Sequence, residues 1–301
     1  MLKSSAGVCE RQLDQAFADM KLRSLLFVPG DRPERLGKAK ALGADALILD
    51  LEDSVAPTRK ADARSAVAEF LNQTRGALRR FVRINSLDTE LADQDLEAVM
   101  CERPDALVLP KAEGAASIRD LDKRLKRLGE VFPLVLPIAT ETPKAVFRLA
   151  EYAEVADRLA GLTWGAEDLP AAVGASASRC DDGSYTPPYE MVRSLTLFGA
   201  AAAATAAIET VFPAFRDLDG LAQYARRGMR DGFVGMMAIH PDQIGVINSA
   251  FTPTQDALDH ARAVVSAFEA NPGAGVIELK GKMIDAPHLK QALRLLSFAE
   301  D

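Results

Sequence analysis

Eight apolar runs, each trailed by a helical pattern or a long loop, predict a closed parallel β/α barrel with a C-terminal extension. Two further observations favour the closed form. The runs are continuously apolar rather than alternating, as in strands covered on both faces. No glycine-rich GxGxxG turn follows the first run, as an open, doubly wound nucleotide-binding sheet would more often show. At 301 residues the chain has room for such a barrel, which uses about 250 residues, plus an appendage.

The elements are justified in order by apolar periodicity and its punctuation. Residues 1–22 carry acids in CERQLDQAFADM, unlike a signal peptide, and read as a short helical extension before the fold. The barrel is expected over 23–245. RSLLFVPG (23–30) precedes a helix near 33–42, and ALILDLED (46–53) one near 58–73. RRFVRIN (79–85) precedes a helix near 89–100, ALVLPK (106–111) one near 115–128, and PLVLPIATE (133–141) one near 143–153. LAGLTWGAED (159–168) runs into a long polar loop at 169–188, of the length of a lid or binding loop, and then a helix near 188–204. AIETVF (207–212) precedes a helix near 218–229, and GFVGMMAIH (232–240) closes the series. Residues 246–301 form the extension, with a helix near 254–270, a small hairpin in GVIELKGKMI and a terminal helix.

Composition narrows the function. A net charge of −7 argues against a general nucleic-acid binder, although a site can be locally basic. No apolar run reaches the ~20 residues of a membrane span. Cys9, Cys101 and Cys180 lack CxxC spacing, so no disulfide framework or zinc site is expected. A structural role for the cysteines and a cytoplasmic location are the expectations.

Barrel strands deliver chemistry at their C-terminal ends. Here those ends carry Glu52, Asp53, Arg83, Asn85, Lys111, Glu141 and Asp168. Glu141 and Asp168, from neighbouring strands, make a hard oxygen site suited to Mg²⁺ or Mn²⁺; alternatively each caps the next helix. Arg83 is placed to clamp a carboxylate with two prongs, or to pair with Glu52 or Asp53. Lys111 reads first as an ion-pair partner of a nearby acid. Of the adjacent acids Glu52 and Asp53, one is expected behind the metal, holding a bound water or Lys111, and the other to cap the next helix. Lys38, Lys60 and Arg64 face either the mouth or solvent. His240 reads as structural, and Asp285 alone as an N-cap before Pro287.

Taken together, RSLLFVPGDRPERLGKA, ALILDLEDSVAPTRKADAR, VRIN, ALVLPKAE, ETPKAV, GAEDL, GFVGMMAIHPDQIGVINSAFTPT and GAGVIELKGKMIDAPHLKQA resemble the citrate lyase β-subunit-like family of the HpcH/HpaI aldolase group. The resemblance covers residues 22–298. It implies a (β/α)₈ TIM barrel and Mg²⁺-dependent carbon–carbon cleavage of a 3-hydroxyacyl-CoA thioester such as malyl-, citramalyl- or citryl-CoA. It further implies a homotrimer or hexamer whose C-terminal segment packs on a neighbouring subunit. Under it, Glu141 and Asp168 match the metal ligands and Arg83 the arginine that holds the keto acid. Asp285 matches an acid brought into the adjacent site, and Glu52 joins the catalytic set. Gly165, Ala166 and Glu167 of GAEDL are expected to line the substrate, with Lys38 and Lys60 toward CoA. A malyl-CoA thioesterase, or a citrate lyase subunit acting on an acyl-carrier-protein thioester, are the alternatives. Two departures stand out. Met236 and Met237 replace the Gly-Lys pair that usually precedes AIHP, and the 169–188 loop is individual.

Overall fold

The computed structural model describes residues 21–74, 76–129 and 132–298; the helix expected before residue 21 lies outside them. The eight strands are β1 (Ser24–Pro29), β2 (Ala46–Asp50), β3 (Arg79–Arg83), β4 (Ala106–Leu109), β5 (Leu134–Pro137), β6 (Leu162–Thr163), β7 (Ala207–Glu209) and β8 (Gly235–Ala238). They pair in parallel in the order β5-β4-β3-β2-β1-β8-β7-β6. Two parallel bridges, Val135 to Leu159 and Ile138 to Thr163, join β5 to β6 and close the ring. This is the (β/α)₈ barrel that the continuous apolar runs predict.

The helices are α1 (Pro33–Ala39), α2 (Lys60–Asn72), α3 (Leu91–Val99), α4 (Ala115–Leu128), α5 (Pro143–Val146), α6 (Asp168–Val173), α7 (Pro187–Ala202), α8 (Leu218–Asp231), α9 (Gln243–Ala250), α10 (Gln255–Glu269) and α11 (Ala286–Ser297). Their apolar stripes cover the sheet; α4 buries Ala115, Ile118, Leu121 and Leu125 at helical spacing. Inside, Leu47, Ile48, Leu49, Phe81 and Leu107 are fully buried. Each such side chain stabilises the fold by about 1.5–3 kcal/mol. No described helix is long and apolar enough to cross a membrane.

Several elements differ from expectation. The helix expected at 143–153 breaks at Arg148 (φ −111°, ψ 6°) and continues as a 3₁₀ stretch, Leu149–Arg158. Two short helices, α6 and α9, were not anticipated. The apolar runs also overstate the strands: β6 ends at Thr163, and the buried Trp164 after it belongs to the loop. Cys101 and Cys180 are exposed, so neither fills an interior gap.

The chain divides into two compact units, the barrel at Leu22–Asn248 and one that includes Ser249–Asp301. The division falls inside α9, three residues beyond the expected boundary at 245. In the second unit β9 (Val276–Leu279) and β10 (Lys282–Asp285) form the expected antiparallel hairpin. Its two turn residues, Lys280 (φ 51°) and Gly281 (φ 77°), are both left-handed, as a tight hairpin turn of right-handed twist requires. Ala261, Val264, Ile284 and Ala292 form its small core.

Candidate active site

A cavity of about 800 Å³ opens at the C-terminal ends of the strands, within the size range of small-ligand sites. Asp50, Asp53, Arg83, Glu141 and Asp168 line it. Strand register explains the first contact. Asp50 and Arg83 are partners across β2 and β3, so their side chains leave the sheet together. Arg83 Nε and Nη2 each donate to an Asp50 carboxylate oxygen at 2.7 Å. Burial works against the charge on Asp50, but the paired guanidinium holds its carboxyl below the usual carboxylate range. Arg83 Nη1 lies 3.0 Å from Glu52 Oε2, and the guanidinium sits 4.7 Å above the centre of the Phe27 ring.

Glu52 is buried behind that wall and receives Lys111 Nζ at 3.1 Å. Burial raises its pKa, against the pull of Arg83. Lys111 is thus the ion-pair partner expected. Its backbone has a further role: at φ 51° it takes the left-handed conformation, and its N–H donates to Glu141 Oε2.

Glu141 is buried, and Lys111 N–H is its one hydrogen-bond donor among the described residues. Burial pushes its pKa up to about 8; the charges of Asp168 and Glu52 add to the rise, while the Lys111 N–H and Arg83 oppose it. The capping alternative fails for both acids. Thr142 caps α5, accepting from Ala145 N at 3.1 Å, and Asp168 is the first residue of α6, inside rather than before it. Gly165 is required where it stands, because a Cβ there would lie 2.5 Å from Glu141 Cγ. Among the described residues no cluster of three or more His, Cys, Asp or Glu could hold a metal ion. Two carboxylates, one short of donors, nonetheless suit a hard cation that completes its shell with water or ligand oxygens.

Other expected residues fall in different places. Gly165, Ala166 and Glu167 line the cavity, and Lys38 stands at its rim on α1, together with Arg35. Lys60 needs correction. Its ammonium is buried and donates to Leu51 O (2.7 Å), Glu52 O (2.8 Å) and Asn85 Oδ1 (2.8 Å), so it braces the β2 loop and reaches no ligand. Asp285 belongs to the second unit, where it caps α11 and contacts His288 Nδ1 at 2.5 Å. His240 lines the cavity and stacks on Phe215 with ring centres 4.8 Å apart.

Three residues escaped the sequence reading: Asp50, Trp164 and Glu209. Trp164 lines the cavity, and its indole N–H donates to Glu209 Oε1 at 2.6 Å. Asp50 was legible only through the strand register that sets it beside Arg83.

The HpcH/HpaI aldolase/citrate lyase family pattern matches residues 23–241. A citrate lyase subunit beta-like protein of Mycobacterium tuberculosis is 40% identical over 271 residues, 90% of this chain and 93% of its own. The mitochondrial citramalyl-CoA lyase of Mus musculus is 33% identical over 294 residues, 92% of this chain and 86% of its own. The crystal structure of CitE from M. tuberculosis in complex with magnesium, acetoacetate and coenzyme A has a TM-score of 0.79 at 37% identity, over 93% of this chain and 98% of that one. By sequence and by fold alike, the chain belongs to the HpcH/HpaI aldolase/citrate lyase family.

Proposed function

We propose that this protein is a Mg²⁺-dependent carbon–carbon lyase that splits a 3-hydroxyacyl-CoA thioester into a keto acid and an acyl-CoA. The observation that carries this reading is Glu141, a buried carboxylate with one donor, on the same cavity wall as Asp168 and Arg83. Glu141 and Asp168 would hold the metal; Mn²⁺ fits the same oxygen set. When bound, the metal makes a hydroxyl more acidic and offsets negative charge on oxygen.

The chain's own residues do the rest. Arg83, fixed by Asp50 and Glu52, binds the carboxylate of the keto-acid half and orients the bond to be broken. Glu52 positions Arg83 and Lys111. Gly165 and Ala166 let the ligand approach the backbone beside Glu141, with Glu167 at the edge. Lys38 at the rim meets the CoA phosphates. As the 3-hydroxyl gives its proton to solvent water the C2–C3 bond breaks and its electrons pass to the thioester; Asp285 of a neighbouring subunit, in its protonated form, then delivers a proton to the resulting enolate carbon and regains one from water. This requires an oligomer, which the family resemblance gives as a homotrimer or hexamer. The exposed, unbridged Cys101 and Cys180 accord with a reducing cytoplasm.

The test is a product assay with Mg²⁺. Keto acid formed from a CoA ester and abolished by EDTA supports the lyase, and Asp285→Asn should bind Mg²⁺ normally yet lose turnover. Free CoA without keto acid makes the protein a thioesterase. Activity that appears only with an acyl-carrier-protein thioester makes it a complex-bound subunit.

A further inference from the structure

The two acids assigned to the metal stand on different loops, Glu141 after β5 and Asp168 after β6. Below them the chain is joined by the Val135–Leu159 and Ile138–Thr163 bridges and by Ala139 N–H, which donates to Thr163 O at 2.8 Å. Those contacts stop one residue short of Thr140. Past them a side chain makes the link: Gly165 N–H donates to Thr140 Oγ1 at 3.1 Å. Gly165 also packs on the stem of Glu141, where a Cβ would lie 2.5 Å from Glu141 Cγ. Residues 140 and 141 therefore grip the same glycine, one by a hydrogen bond and one by contact. That glycine opens the GAED segment that ends at Asp168.

The outer flanks are held by other groups. On the β4 side, Lys111 N–H holds the Glu141 carboxyl, and Thr142 Oγ1 donates to Glu113 Oε1 at 2.9 Å. On the β7 side, Glu209 fixes the Trp164 indole at 2.6 Å, and Leu169 is buried just beyond Asp168. Each loop has its own outer anchor, and Thr140 supplies the tie between them. Its side chain is fully buried and β-branched, which restricts χ1 and keeps the hydroxyl on Gly165. The missing Cβ at Gly165 lets that tie draw the loops to close range.

We infer that Thr140 is a positioning residue for the metal pair: its hydroxyl holds the loops of Glu141 and Asp168 close together, and so favours a small cation over a large one. Mg²⁺ takes oxygens at about 2.0–2.1 Å in a strict octahedron, whereas Ca²⁺ accepts about 2.3–2.6 Å and irregular shells. A pair free to spread loses the first ion and keeps the second. The inference rests on the metal site of the lyase reading and adds the residue that selects the ion.

The test uses the full-length, metal-free protein and reads binding, not turnover. Urea unfolding is followed by the emission of Trp164, the single tryptophan of the chain, at rising free Mg²⁺ or Ca²⁺. The shift of the midpoint with each ion yields its Kd. Wild type should bind Mg²⁺ at least about tenfold more tightly than Ca²⁺, and Glu141→Ala should abolish both responses. Thr140→Val removes the acceptor at nearly constant volume. It should weaken Mg²⁺ about tenfold or more and Ca²⁺ less than about threefold. Thr140→Ser keeps the hydroxyl and should hold both ions within about threefold of wild type. If the valine variant does not fold, Thr140→Ala takes its place with the same expectation. A Mg²⁺ loss no larger than the Ca²⁺ loss, a serine variant as impaired as the valine one, or a wild type that binds Ca²⁺ as tightly as Mg²⁺ overturns the inference and leaves the metal site standing. No response to either ion, or a response that survives Glu141→Ala, overturns the metal site itself and the Mg²⁺-dependent reading built on it.

Discussion

Glu141 and Glu209 are both buried acids at strand ends, yet they are opposite in character. Glu209 is fully buried and receives four donors: Trp164 Nε1 (2.6 Å), Tyr224 OH (2.8 Å), Thr210 N (3.0 Å) and Arg193 Nε (2.7 Å). Arg193 is itself anchored to Asp231 at 2.7 Å. Glu141 receives one backbone N–H and faces further negative charge. The first is framework, its charge matched within the protein. The second is a carboxyl group the protein buries without matching, so that it holds its proton until a cation or base takes it, and that is the mark of a functional group. Burial is common to both; the supply of donors distinguishes them.

Substitutions should separate the two acids. The largest effect belongs to Glu141→Ala. Mg²⁺-dependent turnover should fall at least about 1,000-fold, while the metal-free protein at pH 8 unfolds no earlier than wild type. Retained turnover would move the metal site elsewhere. Glu209→Ala should act on stability instead. Taking one of its two carboxylates from the buried Arg193, and the acceptor from Trp164 and Tyr224, should cost about 3–5 kcal/mol in a urea titration, with a blue shift of Trp164 emission as its indole loses its acceptor. A loss below about 1 kcal/mol would erase the contrast with Glu141.

The smallest effect is the one that tests the mismatch directly. The Glu141 pKa is about 8 in the folded protein against 4.5 for an ordinary glutamate. Between those values the folded state keeps a proton that the unfolded chain has released. The metal-free protein should therefore lose stability as pH rises through that window. Glu141→Gln should flatten the slope and gain on the order of 2 kcal/mol at pH 8, measured by chemical denaturation across pH. A slope that persists in the glutamine variant would assign the titration to another group, Glu52 first.

How legible the molecule was depended on whether a feature is local. The eight strands could be read because strands buried on both faces leave unbroken apolar runs, and the hairpin because ELKGKM places Lys280-Gly281 between two strand-like stretches. Arg83, Glu141 and Asp168 could be located because they follow apolar runs directly. The Asp50–Arg83 and Trp164–Glu209 contacts could not, since each depends on register between separate strands. Lys60 was misread for a different reason. It falls on the same helical stripe as Ala63, Val67, Phe70 and Leu71, so its periodicity already placed it inside; the error was to judge it by its charge alone.

The closure of the ring has a mechanical consequence. β1 and β2 share five register pairs, whereas β5 and β6 are held by two isolated bridges. That seam is one of three joints, with β6–β7 and β7–β8, that rest on only two pairs, and Glu141 and Asp168 stand on either side of it. A cation gripped by both would act as a rivet across the joint, and because it grips only the closed ring, each increment of free metal would make opening there rarer. The ion that equips the site for chemistry would also be the part that holds the hoop shut.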